Sequence, residues 1–169
     1  MGRFRELVAA FSIFAVVLTF SATASREALF ARSNPTADIY PPPESASADI
    51  QSALKLAAQD RKNILLIFGG NWCYDCHVLD EAFHTPEIAP TVVRNFVVVH
   101  VNVGEYDKNL DLAKKYEVPL ERGVPAAAVL ESDGKLLFTQ KNQEFEKARS
   151  LAPEDVLAFL NKWKLNAAR

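Results

Sequence analysis

The sequence predicts an α/β protein with a mixed central sheet and helices on both faces, a three-layer α/β/α sandwich. Three observations carry this. Short apolar runs of strand length, at 63–68 and 96–103, alternate with segments whose apolar residues recur at helical spacing. Asp133-Gly134 lies between the last two strand-like runs and marks a hairpin, which adds antiparallel pairing to the alternating pattern. The chain of 169 residues is 49 % apolar, enough for one domain with a hydrophobic core that needs no disulfide staples.

Each element has its own reason. Ile50, Ala53, Leu54, Ala57 and Ala58 share one face of a helix over 49–61. Ile64-Leu65-Leu66-Ile67-Phe68, followed by Gly69-Gly70, reads as a strand buried on both faces. Residues 73–83 suit a helix, which Thr85-Pro86 interrupts, and 86–95 resumes as a second helical piece. The valine-rich run 96–103 is the next buried strand. Leu110, Leu112, Ala113 and Tyr116 mark a helix over 110–116. Strands over 126–130 and 135–140 flank the Asp133-Gly134 turn. The last helix, over 153–164, opens on Pro153 with Glu154 and Asp155 in its first turn, where acidic groups complement the helix dipole. Val156, Leu157, Leu160 and Trp163 form its buried stripe.

The N-terminus reads as a secretory signal peptide over 1–24. Arg3 and Arg5 form a basic start, 7–20 is an apolar stretch, and Ala22-Thr23-Ala24 has the small-x-small form of a cleavage site. Left uncleaved, the segment would be a membrane anchor, although its apolar run is short against the ~20 residues that span a bilayer. The protein is therefore expected outside the cytoplasm, periplasmic or extracellular. Residues 25–47, with Pro41-Pro42-Pro43, read as a Pro/Ser-rich linker, and 48–169 as the folded domain. A formal net charge of −2 excludes the basic footprint of a nucleic-acid binder.

The chain has two cysteines, Cys73 and Cys76. A bridge closing so short a loop removes little chain entropy, so chemistry is a better reason for the pair than stability. A strand, a glycine turn and then Trp72-Cys73-Tyr74-Asp75-Cys76 places Cys73 at a helix N-terminus. There, unpaired N–H groups and the helix dipole favour a thiolate. Cys76 lies one turn later on the same face, about 5–6 Å away, within the separation a disulfide requires. Cys73 can attack an incoming disulfide and Cys76 can resolve the mixed intermediate.

These residues resemble the thioredoxin superfamily. The resemblance rests on 64–68 as the central strand, on Asn71-Trp72-Cys73-Tyr74-Asp75-Cys76, and on Gly123-Val124-Pro125 ahead of the hairpin. It covers 48–164 and implies a thioredoxin-like fold. It also implies a cis proline at Pro125 facing the disulfide, with Val124 offering its backbone to an extended substrate segment. Trp72 and Tyr74 would add apolar surface at the site. Where thioredoxin has a buried aspartate on the central strand, this chain has Ile67. The lysine of the next strand is replaced by His100, and about three extra residues lie around Pro119-Leu120-Glu121. His100 and Asp75 are then the candidate proton acceptors for Cys76. Asp75 also sets a negative charge near two thiols, which disfavours thiolates and leans towards a reductase.

Several residues are expected to play no part. His77 and His84 read as solvated, and Glu144, Glu146, Lys147 and Arg149 as a charged surface. Two rival chemistries use the same cysteines. Cys73-Tyr74-Asp75-Cys76-His77 also satisfies the c-type haem pattern, with His77 as iron ligand. Against this, the only methionine is Met1. A zinc site would lack a second ligand pair. A third reading is a binding module on the same fold with little turnover, which would need neither thiol. The expectation is a monomeric protein-disulfide reductase that uses no cofactor beyond the Cys73–Cys76 pair. It would act on thiols and disulfides of exported proteins and draw electrons from a membrane-bound thiol donor.

Overall fold

The computed structural model describes residues 38–142 and 144–165. The signal-peptide reading and most of the linker lie outside them. Helix α1 spans Ala46–Asp60, followed by β1, Asn63–Gly69, and α2, Tyr74–His84. Next come α3, Ala89–Asn95; β2, Phe96–Asn102; and α4, Leu110–Lys115. The hairpin β3, Ala126–Leu130, and β4, Leu136–Thr139, precedes α5, Pro153–Trp163. Among the described residues no helix is long and apolar enough to cross a membrane.

The sheet order is β2-β1-β3-β4. β1 pairs parallel with β2 and antiparallel with β3, and β3 pairs antiparallel with β4. Every residue of β1 is buried. Because successive side chains of a strand point to opposite faces, both faces of the sheet must be covered. α1 packs on β1 and β2, and α5 packs against β4 through Phe138 with Phe159 and Trp163. The mixed sheet and its helices make the thioredoxin-like α/β fold. Asp133-Gly134 forms the expected turn, where Glu131 N–H donates to Lys135 O at 2.8 Å and Gly134 takes φ +90.

This pairing gathers three distant loops at one end of the sheet. Phe68 opposes Ala126, so the end of β1 lies beside the start of β3. Gly69 is in register with Asn102, so the end of β2 arrives at the same edge. In open α/β sheets this carboxyl edge is where ligands bind.

The packed fold begins before residue 48. Residues 38–45, which composition assigns to the linker, lie against the domain, and Tyr40 is 2 % exposed. The backbone polar groups of a proline-rich arm packed on a domain need partners. Three asparagines supply them: Asn71 Nδ2 donates to Tyr40 O, Asn102 Nδ2 to Pro41 O, and Asn109 Nδ2 to Pro43 O, at 2.9–3.0 Å. Asn71 Oδ1 also accepts from Tyr40 N at 2.8 Å, completing a two-point clasp.

Candidate active site

β1 ends at Gly69, and the chain turns through Gly70-Asn71-Trp72 into α2 with Cys73 as its N-cap residue. An N-cap side chain accepts from the first free N–H groups of the helix. Here the acceptor is sulfur, with Cys76 N–H donating to Cys73 Sγ at 3.1 Å. The two cysteines form a disulfide, with Cα atoms 5.2 Å apart. The donor that would hold a Cys73 thiolate is thus already in place. Cys73 is only 5 % exposed, less open than its helix-tip position implies, and Cys76 is 1 % exposed.

The Val124–Pro125 loop covers the disulfide. The Val124–Pro125 bond is cis and Val124 O lies 3.7 Å from Cys73 Sγ. Pro125 is buried. Gln140 ties this loop to the sheet: its Nε2 donates to Pro125 O and its Oε1 accepts from Ala127 N–H, both at 3.2 Å. Nothing in its sequence context marks Gln140, because its role depends on the β3–β4 pairing.

Two aromatics frame the site at the surface. Trp72 is 46 % exposed. Its Nε1 donates to Gly104 O at 2.8 Å, and its ring meets Tyr106 with centroids 5.4 Å apart. Tyr74 is 62 % exposed. The Arg149 guanidinium lies 4.9 Å from its ring centre.

Asp75 does not face the thiols as an open charge. It is buried and paired with Arg149, whose Nη2 donates to Oδ2 at 2.6 Å, Nε to Oδ1 at 3.0 Å and backbone N–H to Oδ1 at 2.9 Å. The Arg149 hydrogen bonds hold its carboxyl below the usual carboxylate range. A carboxylate so saturated is a poor proton acceptor, and its charge is met by a guanidinium. Arg149 therefore belongs to the site, although the charged run around it has the composition of plain surface. That run also holds Phe145, which is buried, and Glu146, whose Oε2 accepts from Gln140 Nε2 at 3.1 Å.

The histidines are engaged too. His100 Nε2 lies 3.2 Å from Asp80 Oδ1 and its ring meets Tyr40 edge-on, with centroids 5.0 Å apart. Burial alone would raise the Asp80 carboxyl, but the His100 hydrogen bond and the charges of His100, His84 and His77 outweigh it and hold it low. His77 is half-buried instead of solvated, with Nε2 2.8 Å from Asn71 O. His84 is exposed, as expected, with Nδ1 2.7 Å from Asp80 O. Among the described residues no group of three or more His, Cys, Asp or Glu is arranged to hold a metal ion.

The Tyr40 hydroxyl lies near Cys76, across Gly69. A Cβ built on Gly69 would fall within 3.0 Å of both the Tyr40 hydroxyl and Cys76 Sγ. Tyr40 lies in a segment that composition reads as linker, and no local pattern connects it to the cysteines.

A family model described as thioredoxin-like matches residues 45–132. The chain belongs to the thioredoxin-like family. It is similar to a disulphide isomerase from Xylella fastidiosa Temecula1, at 35 % identity and TM-score 0.65, over 69 % of this chain and 89 % of that one. More distant structures share the fold alone. One is a DsbH oxidoreductase, at 24 % identity and TM-score 0.51, covering 69 % of this chain and 82 % of that one. Another is the reduced C-terminal domain of Neisseria meningitidis DsbD, at 19 % identity and TM-score 0.51, covering 70 % and 96 %. No curated protein matches the chain. The family and the bonded Cys-x-x-Cys pair make this protein a thiol–disulfide oxidoreductase.

Proposed function

We propose that the protein is an exported protein-disulfide reductase that works from its dithiol form. The observation that carries the exchange chemistry, as distinct from its direction, is the Cys73 sulfur at the N-cap of α2, already receiving Cys76 N–H. A donor fixed on that sulfur favours the thiolate, the species that attacks disulfides.

The Cys73 thiolate attacks one sulfur of a substrate disulfide. The substrate S–S bond breaks, a mixed disulfide forms, and the other substrate sulfur leaves as a thiolate that takes a proton. Cys76, deprotonated, then attacks Cys73 Sγ and releases the first substrate sulfur. The substrate has gained two electrons and two protons, and the Cys73–Cys76 pair has lost them. A membrane-bound dithiol donor would restore the pair by the same exchange in reverse. Val124 and Pro125 would hold the substrate as an extended segment, beside the exposed faces of Trp72 and Tyr74. A depression lined by Tyr106, Leu120, Arg122 and Gly123 continues from the Trp72–Tyr106 pair.

The direction of exchange needs its own test, since the Asp75 charge that favoured a reductase is neutralised by Arg149. Glutathione titration measures the potential. A value near the about −270 mV of thioredoxin supports a reductase, and one near the about −120 mV of the strongest periplasmic oxidant contradicts it. An isomerase begins with the same attack, and the similar Xylella protein described as a disulphide isomerase favours that as a second reading. Refolding of a scrambled disulfide protein without net reduction would select it. Export is tested by the N-terminus of the protein recovered outside the cytoplasm. A chain starting at Ser25 supports cleavage, and an intact Met1 points to the anchored form.

A further inference from the structure

We propose that Tyr40 is a positioning residue for Cys76, its buried hydroxyl donating a hydrogen bond to Cys76 Sγ when the pair is reduced and losing that partner when the pair is bonded. This rests on the dithiol–disulfide reading above and deepens it.

Four observations meet at one place. The Tyr40 hydroxyl is buried and makes no hydrogen bond with the disulfide closed. A buried hydroxyl without a partner is unfavourable, and proteins rarely keep one without a use. Cys76 Sγ lies 2.6 Å from where a Gly69 Cβ would be, and the hydroxyl lies closer still, so oxygen and sulfur are less than twice that distance apart. The backbone of Tyr40 is clasped at both N–H and C=O by Asn71, two residues before Cys73, so the phenol moves with the active-site turn. Ile67, which stands on the central strand where thioredoxin has its buried aspartate, is apolar and buried.

Burial, reinforced by the Asp80 charge, raises the phenol far above its ordinary value. It keeps its proton at any working pH and acts as a donor, not a base. Reduction breaks the S–S bond, adds two electrons and two protons, and lets the sulfurs part from bonded to van der Waals separation. Cys76 then presents a thiol or thiolate, which accepts better than a disulfide sulfur. The proton of Tyr40 stays on oxygen throughout. The hydroxyl thus favours the reduced state, where the bond to Cys76 offsets a burial cost that is left unmet in the oxidised state. Gly69 is what leaves the two atoms this close.

The test is Tyr40→Phe in the full chain, which keeps the ring and removes only the oxygen. The equilibrium constant with glutathione is expected to shift about tenfold towards the disulfide, which for this two-electron couple is about 30 mV more negative. The oxidised variant should melt at or above the wild-type temperature. A merely structural tyrosine would weaken both redox states alike and leave the constant where it was, and that result overturns the proposal. If Tyr40→Phe does not fold, redox-difference infrared spectra of wild type with ring-labelled tyrosine read the same contact. A tyrosine C–O band that moves on reduction supports it, and a difference spectrum without one overturns it. If the constant shifts while neither protein reduces insulin, the Tyr40 assignment stands and the proposed function falls. If wild type reduces insulin but the constant does not move, the reverse holds.

Discussion

Asp75 shows how one residue's meaning depends on a partner far along the chain. In the first turn of α2 its charge complements the helix dipole. Its four bonds to Arg149 come from a residue 74 positions away. A carboxyl lowered in the folded state contributes stability above its unfolded value, about 3.9, and loses it as pH falls through the lower folded value. Asp75→Asn should therefore melt below wild type at pH 7, with the gap closing as pH drops below about 4. Thermal melts at pH 7 and pH 3 check this, and a gap independent of pH contradicts it. Gln140 makes a second residue-scale prediction. Gln140→Ala leaves Pro125 O and Ala127 N–H buried without that partner, and unfolding free energy in urea should fall by about 2 kcal/mol with unchanged m. A loss below about 0.5 kcal/mol, typical of surface positions, would show that the clamp is dispensable.

At the scale of elements, α2 and the end of β1 form one device. The strand delivers Gly69, the turn delivers Cys73, and the helix N-terminus supplies the N–H that meets sulfur. Gly69→Ala would push a methyl group against the Tyr40 phenol and Cys76 Sγ, each under 3.0 Å away. Overpacking of this kind destabilises by about 1–3 kcal/mol. Denaturant unfolding of the variant measures it, and an unchanged midpoint would mean the site has slack. The nine α-helices and strands of the described residues are legible because their signals are local. A period of two or near four, a Gly-Gly stop and an Asp-Gly turn are each complete within a few residues. The exceptions have the same physical cause in reverse. The arm at 38–45 reads as linker because Tyr40 is one aromatic among prolines, and its anchors Asn71, Asn102 and Asn109 lie 31 to 66 residues on. Arg149 reads as surface because its partner lies in another element. α3 begins only at Ala89 because 86–88 form a turn.

For the whole molecule, the topology of the sheet makes the site. Parallel pairing of β1 with β2 and antiparallel pairing with β3 bring Gly69, Asn102 and Ala126 to one edge. Cys73 and Val124, 51 residues apart, meet there. Sequence motifs alone pointed to both loops, through Trp-Cys-x-x-Cys and Gly-Val-Pro. What they could not carry was the surrounding support from Tyr40, Arg149 and Gln140, which depends on chain reversal across the sheet. The account as a whole depends on Cys73 being the attacking sulfur and Cys76 the resolving one. The most direct measurement is mass spectrometry of the reduced Cys76→Ser variant after mixing with a disulfide-containing protein. The account predicts a stable mixed disulfide at Cys73, absent in Cys73→Ser and fleeting in wild type. No adduct with Cys76→Ser, while Cys73→Ser forms one through Cys76, would contradict it.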